Sequence, residues 1–359
     1  MNSHINKKQP SVLFILKKRS QNWGGTDSYV HKPSGLFNSA NFVNHMLKAN
    51  GFRSDIVEVI DNNSIDKAVF DFNPDIVIIE AIWVTPAKMN ELVKLHHHKH
   101  RKWIIRNHSE LPFLATEGIS LQWLLEYSNI PNVYISNNSP IANGEITLLA
   151  RIHTDVPSER VVFLPNYIPT EEHIPVKHHE HKHHIDISCF GAVRPLKNHV
   201  EQAIAAIKYA KHQGKPLRFH INATRLEGKG EPVLKTLRAI FESTYNYELI
   251  EHGWLDREEF LKLCSTMDVG LQVSYTETFN IVSADHVLVG VPCIVSDEIP
   301  WMPSQYHADP CSSDDIAQKI HVAVKDGVFH QYRGLREYSK ESEVIWKDVL
   351  LRKLLKYFE

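Results

Sequence analysis

Cysteine is scarce in this 359-residue sequence: Cys189, Cys264, Cys293 and Cys311 stand far apart, with no Cys-x-x-Cys pair. That spacing excludes a disulfide framework and a zinc knuckle, and it fits a reducing cytoplasm, the expected location. Net charge is almost absent as well. The 40 Lys and Arg against 42 Asp and Glu leave a formal charge of -2, so no global attraction draws the chain to nucleic acid or an anionic membrane, and such a partner would need a local basic face. No apolar run approaches the roughly 18 to 20 residues that cross a bilayer. Residues 1–9 carry no apolar stretch like that of a signal peptide, and a soluble protein is expected. What the sequence has in excess is histidine, 23 residues of it.

The 43% apolar and 23% charged composition is that of an ordinary globular chain able to bury a full core. At roughly 150 residues per domain, the length suggests two domains. Short β-branched runs alternate with helical spacings throughout. Val12 to Leu16, Asp55 to Ile60, Ile76 to Ile79, Trp103 to Ile105, Val133 to Ile135 and Val161 to Leu164 read as strands, with helices at Phe37 to Asn50, Lys88 to His97 and Leu121 to Tyr127. Pro165-Asn166-Tyr167-Ile168-Pro169 then ends regular structure. Beyond it the alternation restarts, with strands at Ile185 to Phe190, Leu217 to Ile221, Glu248 to His252, Val269 to Val273 and Cys293 to Ser296. The expected architecture is α/β: two doubly wound, Rossmann-like domains facing across a cleft, over residues 1–168 and 169–340. The stripe Ile345, Trp346, Val349, Leu350, Leu354 and Phe358 predicts a final helix within 341–359 that docks elsewhere.

Two stretches carry candidate chemistry. In Ser274 to Asp297, Glu277 is expected to open a helix whose first-turn amides, those of Thr278, Phe279, Asn280 and Ile281, match a diphosphate. Asp285 lies eight residues on and about two turns later, on the same face. Two carboxylates flanking one anion site suit hydroxyls on either side of it, such as those of a sugar and a ribose. In Phe190 to Asn198 a strand runs into Gly191 and then two cations, Arg194 and Lys197, placed to neutralise the diphosphate. On the bland reading these are a helix N-terminus favouring an acidic residue and a loop with solvated cations.

Together these pieces resemble the nucleotide-sugar-dependent glycosyltransferases of the GT-B fold, in particular the large retaining class called family 4. The resemblance rests on Gly191 to Lys197, on Glu277 to Asp285, and on Gly290-Val291-Pro292-Cys293-Ile294-Val295. It implies that Arg194 and Lys197 bind the donor diphosphate, Glu277 a hydroxyl of the transferred sugar, and Asp285 the nucleotide ribose. The Arg194 to Lys197 spacing is shorter than the family's, and Asp285 stands where a glutamate is usual. It further implies that His108, at the end of the strand Trp103 to Ile105, meets the sugar or leaving group, and that Gly24 and Gly25 let the backbone approach the donor. The final helix would cross back to the first domain.

The activity so implied is transfer of a sugar from a nucleoside diphosphate, most simply a UDP-sugar, with retention of configuration. No Asp-x-Asp triplet occurs; no metal ligands are assigned, and metal independence is expected, with protein cations neutralising the leaving group. Parts of the wording also resemble tailed-phage glycosyltransferases, some of which modify hydroxymethylated DNA bases; such an enzyme would work in the host cytoplasm. A double-stranded DNA acceptor would need a basic stripe, for which Lys17, Lys18, Arg19, Lys99, Arg101 and Lys102 are the candidates. A glycan or lipid acceptor is the alternative. A sugar-nucleotide epimerase and a non-catalytic nucleotide-sugar or metal binder are rival readings. The runs His96-His97-His98-Lys99-His100 and His178 to His184 read as solvated polar segments with adventitious affinity for zinc or nickel.

Overall fold

The computed structural model describes residues 9–18, 35–153, 158–171, 182–242 and 245–357. Gly24, Gly25 and Arg19 lie outside them. The described residues divide into two compact units, one from 9–169 together with 339–357 and one from 170–338.

The first unit is built on six strands, β1 (Ser11–Lys17), β2 (Arg53–Val59), β3 (Ile76–Glu80), β4 (Lys102–Asn107), β5 (Val133–Asn137) and β6 (Val161–Phe163). They pair in parallel in the order β2-β1-β3-β4-β5-β6. The continuous apolar runs are explained by burial on both faces. Leu13, Ile15, Val77, Ile79, Trp103 and Ile105 meet the helices on one side, whereas Val12, Phe14, Ile76, Ile78 and Ile104 meet those on the other. The second core includes Trp346, Leu350 and Leu354 of the C-terminal tail, and Trp346 Nε1 donates to the Pro165 carbonyl at 2.8 Å.

The second unit has five parallel strands, β7 (Ile185–Val193), β8 (Leu217–Leu226), β9 (Tyr247–His252), β10 (Val269–Gln272) and β11 (Cys293–Val295). Their order is β11-β10-β7-β8-β9. All eleven runs read from the sequence as strands are strands.

In each sheet the chain first builds outward in one direction and then returns to the other side of its starting strand. The reversal falls between β1 and β3 in the first unit and between β7 and β10 in the second. Loops leaving the carboxyl ends of such a strand pair diverge and leave a crevice, the natural ligand position of a doubly wound sheet.

Three elements differ from the sequence reading. The helix expected from Glu277 begins at Ile281, because Asn280 adopts left-handed backbone at φ 57° and its side chain accepts from Ser283 N. Of the four amides proposed as helical donors, only that of Ile281 lies in the first turn. The first histidine run is not a solvated helix end: the helix stops at Lys94, His96–His98 forms a separate 3-10 turn, and His98 is buried. The last helix starts at Phe329, well before Glu343. Its early buried face includes Gln331, Ser339 and Ser342 beside Tyr332 and Leu335, so its period is not an apolar one.

Candidate functional site

In the second unit the end of β7 carries Gly191, and the loops leaving β7 and β10 carry Arg194, Lys197 and Glu277 of the sequence reading. β7 loses register with β8 between Cys189 and Val193, where Gly191 sits at φ +112° and donates its N–H to Asn222 Oδ1 at 2.9 Å. A bulge of this kind re-aims the chain beyond it, and the positive φ favours glycine. The loop continues through Arg194 into the 3-10 turn Pro195–Lys197.

That loop is stitched to the one leaving β10. Tyr275 N donates to the Leu196 carbonyl at 3.0 Å, Asn198 Nδ2 to the Val273 carbonyl at 3.1 Å, and Val273 N to Gln202 Oε1 at 2.8 Å. The result brings Lys197 and Glu277, eighty positions apart in the chain, into a direct ion pair. Gln272 Oε1 accepts from Lys197 Nζ at 3.2 Å and from Asn280 Nδ2 at 2.8 Å. Both charged side chains are about nine-tenths buried, so their mutual attraction is weakly screened and the pair is pre-positioned. Thr278 and Asn280 are buried beside them. Phe279 anchors the turn, its ring against Trp301 and Tyr338 and its carbonyl accepting from Trp301 Nε1 at 2.8 Å.

Arg194 and Asp285 are engaged elsewhere. Arg194 lies 3.7 Å from Glu227, which also holds Arg225, and the Arg225 guanidinium stacks on Trp254 at 4.4 Å. Asp285 is buried and pairs with Arg257 at 2.7 Å; burial raises its carboxyl to about 6, against the pull of Arg257. Behind the loop, His199 is fully buried, and desolvation together with the charges of Lys197 and Arg194 drops its pKa to about 3. His199, Arg257, Glu227 and Gln272 were not anticipated. Only their polarity at strand ends and helix starts could have signalled them.

In the first unit a pocket opens between the ends of β1 and β3, lined by Lys17, Glu80, Trp83, Asn107, His108 and Glu117. Glu80, the last residue of β3, is fully buried. Its Oε1 accepts from Arg106 Nη1 at 3.1 Å and its Oε2 bonds His108 Nε2 at 2.5 Å. Arg106 in turn donates to Asn166 Oδ1 at 2.9 Å and faces the Trp346 ring at 5.0 Å. Burial would push the Glu80 carboxyl up, but Arg106 and His108 outweigh it and hold it low. The same desolvation, with Arg106 beside it, lowers His108 and keeps the ring neutral near pH 7. Neutral and bonded through Nε2–H to Glu80, His108 holds its lone pair on Nδ1, 3.4 Å from Asn138 Nδ2. Ala81 follows Glu80 at φ +67°, a left-handed conformation for a residue with a Cβ that marks a constrained turn at the pocket wall. His108 was expected at this edge. Glu80, Ala81 and Trp83 were not.

Among the described residues, the cations proposed as a DNA-binding stripe are not brought together. Lys17 closes β1 at the pocket, whereas Lys102 opens β4 at the opposite edge of the same parallel sheet. Arg101 is buried, its guanidinium spent on the Pro74 carbonyl, Asn73 and His98. Among the described residues no helix is long and apolar enough to cross a membrane.

No family model matches the chain, and no curated protein matches it. Solved structures do. A UDP-forming α,α-trehalose-phosphate synthase from Burkholderia xenovorans superposes with a TM-score of 0.63 at 11% identity, over 96% of this chain and 98% of that one. The sucrose-phosphate synthase of Thermosynechococcus elongatus gives 0.59 at 12% identity, over 97% of each chain. HepE of Anabaena, in complex with UDP and glucose, gives 0.61 at 11% identity, over 95% of this chain and 98% of that one. At such identities the likeness establishes the fold, which is that of the GT-B glycosyltransferases.

Proposed function

We propose that this chain is a glycosyltransferase that moves a sugar from a nucleoside diphosphate, a UDP-sugar in the simplest case, to an acceptor hydroxyl with retention of configuration. The observation that carries this reading is the buried Lys197–Glu277 pair at the β7/β10 crevice, beside the helix start at Ile281. A diphosphate arriving there competes with Glu277 for the ammonium of Lys197. The carboxylate so released is an acceptor for a hydroxyl of the donor sugar, and the ammonium neutralises the phosphate. In this scheme Lys197, Arg194 and the amides near Ile281 stabilise charge on the departing phosphate oxygen, and that oxygen helps to deprotonate the acceptor. Arg194 turns from Glu227 towards the phosphate, and Asp285, held by Arg257, meets the ribose. The amides of Thr278, Phe279 and Asn280, and Gly24 and Gly25, complete the proposed donor contacts. His108 offers Nδ1 to a sugar hydroxyl in the first unit. This chemistry uses protein cations and requires no metal.

The complexes of HepE with UDP and glucose support a UDP-sugar donor by likeness of fold. For the acceptor, a pocket walled by Trp83 with Lys17, Glu80 and His108 around it favours a compact hydroxylated molecule, a glycan rather than a lipid. A hydroxymethylated base in phage DNA, with work in a host cytoplasm, is the second acceptor reading. It retains the motif resemblance, but among the described residues no basic stripe is assembled.

The test is a thermal-shift screen of nucleotide sugars, followed by measurement of nucleoside diphosphate release with and without acceptors. Stabilisation by one donor and acceptor-dependent release are expected. Interconversion of the donor sugar with no product on any acceptor would overturn transfer in favour of epimerisation. Tight donor binding with no turnover on any glycan, lipid or DNA acceptor would favour a binding protein. Salt-sensitive retention on DNA would select the nucleic-acid acceptor.

A further inference from the structure

Away from both crevices, the first histidine run makes a site of its own. We infer that Asp66, His97 and His98 form a binding site for a divalent transition-metal ion of the zinc type. Asp66 lies in the first turn of the helix Ser64–Phe72, and the two histidines come from the separate turn His96–His98. Both Nε2 atoms lie 2.8 Å from the same Asp66 Oδ1, and the three ligand atoms all fall within 4.8 Å of one another. The chemistry of the set, two imidazoles and one carboxylate, is that preferred by zinc and its neighbours, which leave their remaining positions to water.

Pre-organisation supports the assignment. The rings form an edge-to-face ladder, Phe70 on His97 at 5.5 Å, His97 on His98 at 4.2 Å and His98 on Trp103 at 5.5 Å, so both imidazoles are fixed without an ion. His98 is buried, while His97 and Asp66 are partly open to solvent, giving an ion a way in. An ion between the three groups needs their spacing to open by a few tenths of an ångström from hydrogen-bond contact, a shift the exposed His97 can make.

One bond must change. His98 Nδ1 accepts from Arg101 Nε at 3.1 Å, which places the ring proton on Nε2. Metal binding through Nε2 moves that proton to Nδ1 and breaks the bond to Arg101. The guanidinium keeps its contacts with the Pro74 carbonyl and Asn73. The site flanks the segments leading into β3 and β4, whereas Glu80 and His108 stand where those strands end, so its role is to staple two surface segments and not to join the transfer chemistry.

The test uses the full chain, without an affinity tag and stripped with chelator, titrated with Zn2+ by calorimetry and with Co2+ by visible absorption. Three variants accompany it: Asp66→Asn, His97→Ala, and a control in which His96, His100, His178, His179 and His181 are all changed to asparagine. One equivalent of tight Zn2+ binding is expected in the wild type and the control, with a Co2+ absorption band in both. Asp66→Asn and His97→Ala, with unchanged circular dichroism, should each weaken that equivalent by more than the about 10- to 100-fold that loss of an outer-shell partner costs, because each removes a direct ligand. They should also abolish the Zn2+-dependent rise in melting temperature. Wild-type affinity in both single variants, or loss of the equivalent in the control, would overturn the site and leave only adventitious binding by the other histidines.

Discussion

Two buried groups set the residue-scale behaviour. His199 titrates in the unfolded chain near 6.5 and in the folded chain near 3, so the folded state holds the neutral ring while the unfolded state gains a proton as the pH drops. Its contribution to stability is whole above about 6.5 and is lost on acidification at about 1.4 kcal/mol per pH unit. Replacing it by His199→Asn should therefore flatten the profile. In urea unfolding, the wild type should lose about 2 kcal/mol more than the variant between pH 7 and pH 5; equal losses would show that His199 is not held neutral by its surroundings. Glu80 works through His108 and is a positioning residue. Glu80→Gln keeps the shape but strips the buried Arg106 of its counter-charge, which should cost about 3–5 kcal/mol of stability. It also removes the one group that raises the pKa of His108. If neutral His108 contacts the sugar, the acid limb of the pH–rate profile should move to lower pH while kcat falls. A drop in kcat with an unmoved limb would reduce Glu80 to a purely structural role.

At the scale of elements, the donor loop depends on one cap. Asn280 satisfies Ser283 N, bonds Gln272, and carries left-handed backbone that a β-carbon disfavours. Asn280→Ala loses all three and should destabilise the protein by about 1–3 kcal/mol, whereas Asn280→Gly keeps the backbone freedom and should cost less. Nucleotide affinity should fall in the same order, measured by calorimetry; equal effects would place the helix start outside donor binding. The same element shows where a sequence reading succeeds and where it stops. Strands such as Ile76 to Ile79 were legible because burial on both faces demands unbroken β-branched runs. Glu80 was not, because one polar residue after such a run looks like the start of a loop until the pairing of Glu80 with Arg106 across β3 and β4 is seen. The helix at Glu277 was misplaced by four residues because a cap at positive φ leaves no mark in apolar spacing. His98 was read as solvated because its burial against Trp103 is a tertiary fact.

For the whole molecule, the division into two units makes a thermodynamic claim. Each unit carries its own parallel sheet and its own buried cluster, and the proposed diphosphate contacts lie wholly in the second. The tail matters to the first unit alone: Trp346 is fully buried against Phe14, bonds the Pro165 carbonyl and covers Arg106. Truncation by Trp346→Ala leaves a cavity and an unmatched carbonyl, a loss of about 3–5 kcal/mol. In scanning calorimetry the transition of the first unit should shift down in that variant. A bound nucleoside diphosphate, which carries no sugar to meet His108, should raise the transition of the second unit by the same amount in variant and wild type, since its proposed contacts lie in that unit. If Trp346→Ala erased that ligand-induced rise while Lys197→Ala left it intact, the nucleotide would have to be held by the first unit, and the Lys197–Glu277 pair would lose its proposed role.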